Sequence, residues 1–346
     1  KKPLEDIKDL KLIEERGKLI KKTRETTREV SLTSKGKKIA ESGLKPEETI
    51  NVLTHSLIKT GKWKEVKFRP YDIKASAPPL KIGKKHPYLV LLDEAKAYLI
   101  SMGFVEIRGC IIESEFWNFD ALYQPQFHPA RTPTSTYYVK GLKEKDLPEE
   151  YGRIIKETHE NGWETGSKGW RYTWDPAKAR KLILRTHTTS ATVRAMFENE
   201  QVPAKYFTIA RNFRRDVIDA THLPEFFQCE GIIIEKGMTF RELLGILEEF
   251  AIKFAGTKKI SFRPAYFPYT EPSVELVATH PKLGPIELGG AGMFRPEVRL
   301  PTNTKAEVMA WGLGFDRLAM IKLGVKDIRE LFSTNLKWLE DAPVGV

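Results

Sequence analysis

Apolar positions change their period along the chain. Leu4, Ile7, Leu10 and Ile13 recur at helical spacing within dense charge and predict a helical segment over residues 4–30. A turn is expected at Ser34–Lys35–Gly36, followed by a short helix ending at Gly43. A possible strand spans Glu65–Phe68, and "SAPPLKIGKKHP" reads as a linker. A helix is predicted over Tyr88–Met102, stopped by Gly103. "FVEIRGCIIESEFWNFDAL" alternates like a strand and then becomes aromatic. Residues 141–180, polar and rich in Gly and Trp, read as an irregular insertion, and residues 181–200 as helical. From 205 onward strand signals dominate until a last helix near Phe315–Leu323.

Closely spaced strands without βαβ alternation imply an α+β fold, an antiparallel sheet flanked by helices. Three regions are expected: a helical, winged-helix-like remnant (1–45), a connector with short strands (46–85) and a catalytic domain (86–346). No repeat or low-complexity tract interrupts them. "GLGFDR" and "ELGGAGMF" do not fit the dinucleotide fingerprint.

Composition adds three limits. No apolar run approaches the roughly 18 residues a membrane span needs, and the charged start is no signal peptide. Two cysteines, Cys110 and Cys229, exclude a disulfide scaffold or a Cys-based zinc site and suit a reducing, cytoplasmic setting. The net charge of +11 is concentrated at the N-terminus, where residues 1–40 hold 13 Lys and Arg against 7 Asp and Glu. That suits a polyanion, or simply a solvated charged helix.

The candidate chemistry clusters after residue 204. "KYFTIARNFR" (205–214) and "EFFQCEGIII" (225–234) read as neighbouring strands, joined by a long charged loop, "RDVIDATHLP". Alternation puts Phe226, Gln228 and Glu230 on one face and Phe227 and Cys229 on the other. The carboxylate and amide suit an ammonium group, and the aromatic offers a stacking surface. Arg214 and His222 suit an anion. A plain ion-pair cluster of Arg214, Asp216 and Glu230 is the structural alternative, but so much charge is costly without a ligand or a full network. Phe267 and Tyr269 share parity and suit a flat apolar group, or core packing. Glu271 suits a divalent cation with phosphates, or is a surface carboxylate. The glycines of "ELGGAGMF" allow close backbone approach, with Phe294 next to them. Arg317 falls in the first turn of a helix, where a cation opposes the dipole. It needs an anion, or a salt bridge to Asp316 or another acid.

"FWNFDALYQPQFHPAR", "LRTHTTSATVRAM", "DATHLPEFFQCEG", "PAYFPYTEPS" and "GLGFDRLAMIKLGVKDIRELF" resemble the class II aminoacyl-tRNA synthetases. More narrowly, they resemble the archaeal and eukaryotic alpha subunits of phenylalanine–tRNA ligase. The resemblance runs from about Lys62 to Leu339. It implies ligation of L-phenylalanine to tRNA(Phe) through an adenylate, with ATP and Mg²⁺, in an α₂β₂ heterotetramer with a beta subunit. Arg214 would hold the α-phosphate and His222 the phosphates, with Phe226 and Arg317 sandwiching the adenine. His187, Thr189, Gln228 and Glu230 would surround the amino-acid head. Phe267, Tyr269, Phe294 and Ala310 would shape the phenyl pocket, and Glu271 would bind Mg²⁺. The chain departs from the family pattern at Cys110, Ser135, Asp216 and Asp316. It also looks short at its N-terminus, where the family form carries further winged-helix modules. The competing expectations are a ligase for another amino acid and a non-catalytic nucleic-acid-binding paralogue.

Overall fold

The computed structural model describes residues 33–42, 49–70, 83–142, 146–199, 201–280 and 282–342. Two compact units divide the chain, Lys1–Lys81 and Ile82–Val346. In the first, Thr33 caps helix α1 (Ser34–Glu41) by accepting from the Gly36 N–H. The turn expected at Ser34–Lys35–Gly36 is therefore the first turn of a helix, because a side-chain cap satisfies its exposed donors. A second short helix, α2 (His55–Thr60), ends on left-handed Gly61. Strands β1 (Thr49–Ile50) and β2 (Lys67–Phe68) pair in parallel. The helix expected over 4–30 lies wholly, and the linker of residues 76–87 in its first part, outside the described residues.

The second unit opens with α3 (Pro87–Ser101), capped by His86 and stopped before Gly103, whose φ is +84°. Its buried residues Tyr88, Leu91, Leu92, Ala95 and Leu99 follow the 3.6-residue period. The main sheet has seven strands in the order β3-β6-β7-β11-β10-β9-β8. These are β3 (Val105–Glu106), β6 (Ala204–Phe213), β7 (Glu225–Glu235), β8 (Ile260–Pro264), β9 (Thr270–His280), β10 (Gly284–Phe294) and β11 (Glu307–Gly314). Only the β3–β6 pairing is parallel. A separate antiparallel pair joins β4 (Ile112–Ser114) to β5 (Leu182–Leu184).

Three stretches differ from expectation. Residues 141–180 hold a 13-residue helix, α4 (Glu149–Asn161), whose buried Tyr151, Ile155, Thr158 and His159 keep a helical period. Residues 181–200 begin as β5 before turning into α5 (Thr189–Glu198). Between β7 and β8 lies the 16-residue α6 (Phe240–Ala255). Thr239 and Glu242 form a capping box at its start, and Gly256 closes it in the left-handed region. These start and stop signals were present in a stretch read as strand.

The sheet carries a core on each face. On β7, Cys229 and Ile233 pack with α3, α6 and α7 (Phe315–Leu323), while Ile232 and Ile234 pack on the opposite side. On β11, Met309, Trp311 and Leu313 share the first face, and Val308 and Ala310 the second. Gly231 is required beneath Trp311, since a Cβ there would lie 2.2 Å from the indole. Gln228, Glu230 and Ala310 thus share a side of the sheet by strand parity, with the first turn of α5 against them.

Candidate active site

A cavity of about 410 Å³ opens over β7, β10 and β11. Thr189, Arg214, His222, Phe226, Gln228, Glu230, Phe267, Tyr269, Phe294, Ala310 and Arg317 all line it. Residues more than a hundred positions apart are gathered here by sheet register. Ala310 pairs with Ile232 on one side and Gly292 on the other.

Part of the cavity lining is polar. Glu230 is 2 % exposed, and the Thr188 hydroxyl donates to its Oε2 at 3.3 Å. No cation lies within ion-pair distance of it among the described residues. Burial pushes its carboxyl up to about 8, against the pull of the Thr189, Thr188 and Thr192 hydroxyls. Asn212 donates to Gln228 Oε1 at 2.6 Å and sets the amide's orientation. A Cβ at Gly312 would lie 2.2 Å from Gln228 Nε2, so this glycine makes room for the amide. His187 is buried nearby, 6.4 Å from the Tyr269 ring, and neither ring nitrogen has a hydrogen-bond partner among the described residues. Burial, reinforced by the Arg214 charge, lowers its imidazole to about 3, so it is neutral at physiological pH.

Another part of the lining is aromatic and flat. Phe267 and Tyr269 stack 5.8 Å apart at 20°, and the Phe294 edge meets Tyr269 at 6.4 Å. Phe267 lies over Gly290, where a Cβ would come within 2.4 Å of its ring. Buried Ala310 adds only a methyl group to this wall.

Cations stand along the rim. Arg214 follows β6, its guanidinium 5.1 Å from the Phe226 ring and its Nε–H donating to Thr186 O at 3.0 Å. No carboxylate pairs with it among the described residues, so the ion-pair alternative with Asp216 and Glu230 does not form. Desolvation lowers its pKa. Arg317 donates to Glu287 O at 2.9 Å and to His222 Nε2 at 2.9 Å. Asp219 accepts from His222 Nδ1–H at 2.9 Å, a tautomer assigned from these two contacts. The acid near Arg317 is Glu287, at 3.8 Å. Asp316 turns away, buried, and accepts from the Tyr88 hydroxyl and the Phe227 N–H.

The class II tRNA synthetase core domain family (F) matches residues 70–342. The chain is 48 % identical over 339 residues to the phenylalanine–tRNA ligase alpha subunit of Pyrococcus abyssi, covering 97 % of this chain and 67 % of that one. The chain belongs to the class II tRNA synthetases, in the phenylalanine–tRNA ligase alpha-subunit family. The alpha subunit of Methanopyrus kandleri is 47 % identical over 346 residues, covering 98 % of this chain and 66 % of the relative. The chain therefore spans about two thirds of these relatives' length. A solved pyrrolysyl-tRNA synthetase from Desulfitobacterium hafniense shares the fold at a TM-score of 0.50 and 17 % identity, over 70 % of this chain and 72 % of that one.

Against the expectations from the class II resemblance, two residues fall outside the cavity lining. His187 sits behind it. Glu271 is 76 % exposed at its side chain and lies 3.9 Å from Arg295. Glu287, Thr221 and Trp311 line the cavity without having been singled out. Glu287 had a usable signal, standing directly before the glycine run of β10. Nothing local pointed to Thr221 or Trp311.

Proposed function

We propose that this chain activates L-phenylalanine with ATP and passes the phenylalanyl group to tRNA(Phe), as the alpha subunit of an α₂β₂ ligase. One observation carries the reading: a buried carboxylate and amide, an aromatic slot and an arginine without a carboxylate partner all line one cavity. Glu230 and Gln228 suit the ammonium group, with Thr189 and His187 completing the head-group end. The slot of Phe267, Tyr269, Phe294 and Ala310 suits a phenyl ring. Arg214 suits the α-phosphate and His222 the neighbouring phosphates, with Phe226 and Arg317 suiting the two faces of an adenine.

In the first step a carboxylate oxygen of the amino acid attacks the α-phosphorus. That P–O bond forms as the bond to pyrophosphate breaks, and pyrophosphate leaves with the electron pair. No proton moves, so the protein's work is alignment and charge neutralisation. In the second, a ribose hydroxyl of the tRNA terminus attacks the acyl carbon; the new ester C–O bond forms as the acyl–oxygen bond to AMP breaks, AMP leaves with the electron pair, and the hydroxyl proton passes to the departing phosphate or to water. Among the described residues no three His, Cys, Asp or Glu side chains are grouped to hold a metal. A single exposed carboxylate, Glu271, still fits Mg²⁺, which keeps most of its waters and takes the rest of its ligands from phosphates. The ion would supply charge neutralisation on the nucleotide. The two unpaired cysteines, Cys110 exposed and Cys229 buried, suit a cytoplasmic setting.

Amino-acid-dependent ATP–pyrophosphate exchange tests the reading, with the chain alone and with a beta subunit. Exchange stimulated by phenylalanine and lost in Arg214→Ala supports it. A folded sample that exchanges with none of the twenty amino acids in either condition overturns it.

A further inference from the structure

The loop between β6 and β7 is organised around one carboxylate. Asp219 Oδ1 accepts from the Thr221 N–H at 2.7 Å, the His222 N–H at 2.8 Å and the Thr221 hydroxyl at 3.1 Å. The Asp219 N–H closes the turn on His222 O at 3.2 Å. The Ile328 N–H donates to Ala220 O at 2.9 Å and ties the turn to the segment after α7. Those bonds occupy Oδ1. Oδ2 meets the His222 side chain, accepting from Nδ1–H at 2.9 Å. The Thr221 hydroxyl oxygen is also 3.1 Å from Nδ1, but its proton goes to Asp219. The Thr221 N–H and the His222 side chain hold the Asp219 carboxyl down at about 2, so it is ionised at any working pH.

An ionised carboxylate only accepts. It therefore keeps the imidazole proton on Nδ1 and leaves a lone pair on Nε2. That lone pair faces Arg317 Nη2 at 2.9 Å. A guanidinium only donates, so the contact exists in this tautomer and not in the other. The second hold on Arg317 is Glu287 O, at 2.9 Å from Nη1. The guanidinium is thus clamped between β10 and the loop. Asp219 stands behind the clamp and does not line the cavity itself.

We propose that Asp219 is a positioning residue for the nucleotide part of the site. By fixing the tautomer of His222 it holds the Arg317 guanidinium in place before ATP arrives, a supporting contact behind a group that meets the ligand. Assigning Arg317 to ATP rests on the ligase reading. The tautomer and its contact with Arg317 do not.

Asp219→Asn tests the proposal. The amide Oδ1 still accepts from both backbone N–H groups, so the turn is kept. Its Nδ2 now donates where Oδ2 accepted. His222 must then carry its proton on Nε2, where it opposes the Arg317 N–H groups. Ring-nitrogen chemical shifts in the isotope-labelled full chain, assigned by their loss in His222→Gln, read the tautomer. They should show Nδ1–H in the wild type and Nε2–H in Asp219→Asn. By calorimetry the Kd for Mg·ATP should rise roughly tenfold, as for loss of a hydrogen bond to a charged group, with the Kd for phenylalanine unchanged. In an Arg317→Ala background the same substitution should add less than about twofold, because the two act on one contact. An Nε2–H imidazole in the wild type overturns the proposal. So does an unchanged tautomer or an unchanged Mg·ATP affinity in Asp219→Asn, which would leave Asp219 a turn-forming residue only. A full tenfold loss in the Arg317→Ala background also overturns it. Wild type that binds Mg·ATP yet shows no amino-acid-dependent exchange sinks the ligase reading and leaves the clamp standing.

Discussion

Arg131 and Arg214 belong to the same domain, one buried and one exposed beside a cavity, and their surroundings differ in kind. Arg131 meets Glu115 and Asp120 at 2.9 Å each, and also donates to Gln124 O. Burial alone would lower its pKa, but the two carboxylates outweigh burial and raise it. Around it, Asp120 accepts from Gln126 and from the Trp174 indole, and its backbone carbonyl meets His159. Arg214 has a single backbone carbonyl and a ring face, and desolvation lowers its pKa. A paired buried charge holds the fold together; a charge without a carboxylate partner on a cavity rim awaits one.

The comparison breaks most directly at the two arginines. Arg131→Ala should cost about 3–5 kcal/mol in urea denaturation, because two carboxylates are left buried and unpaired. Arg214→Ala should leave the urea midpoint close to wild type while lowering exchange by roughly 10³-fold. Equal stability losses in the two variants would remove the distinction.

Glu230→Gln should raise the KM for phenylalanine by roughly 30-fold, as loss of one partner of a buried charge pair does. In the wild type the carboxyl titrates near 8, and an ammonium ligand needs it ionised. KM should therefore fall as pH rises towards 8.5, with a proton released on binding near pH 7. Calorimetry in buffers of different ionisation enthalpy reads that proton, and the glutamine variant should release none. The stability effect has the opposite sign. With a folded pKa near 8 against an ordinary 4.5, the folded chain binds more protons between those values. This group's contribution is present below about pH 4.5 and is lost as pH rises towards 8.

A smaller change should follow from Ala310→Val. Added methyl groups fill the slot, and kcat/KM for phenylalanine should drop roughly tenfold with ATP binding unchanged. The smallest effect belongs to Glu271→Gln, since that side chain is mostly exposed. It should raise the Mg²⁺ concentration needed for half-maximal exchange by a few-fold and leave the phenylalanine KM alone. A loss as large as that of Arg214→Ala would make Glu271 a central group of the site.

Much of the cleft could be read in the chain because strand parity is a local rule. Phe226, Gln228 and Glu230 alternate with Phe227 and Cys229, and the sheet keeps that separation. The glycines of β10 signal close approach in the sequence, and Gly290 lies under Phe267. Helix α6 carries its own end signals in Thr239, Glu242 and Gly256, but it lies between stretches of strand pattern that dominate a local reading. Helix α4 is hard to read locally because its buried positions are few and include the polar Thr158 and His159.

The sequence by itself therefore determined which residue types share a strand face, where most elements start and stop, and which family the motifs resemble. All of these depend on spacing along a few residues. Tertiary structure alone decided the partners. It paired Arg131 and left Arg214 unpaired, put Glu287 rather than Asp316 beside Arg317, tied Asp316 to Tyr88, and left Glu271 in solvent. Such outcomes depend on strand register and on contacts between distant segments, which set the distance and burial of each charge, and no local pattern encodes those.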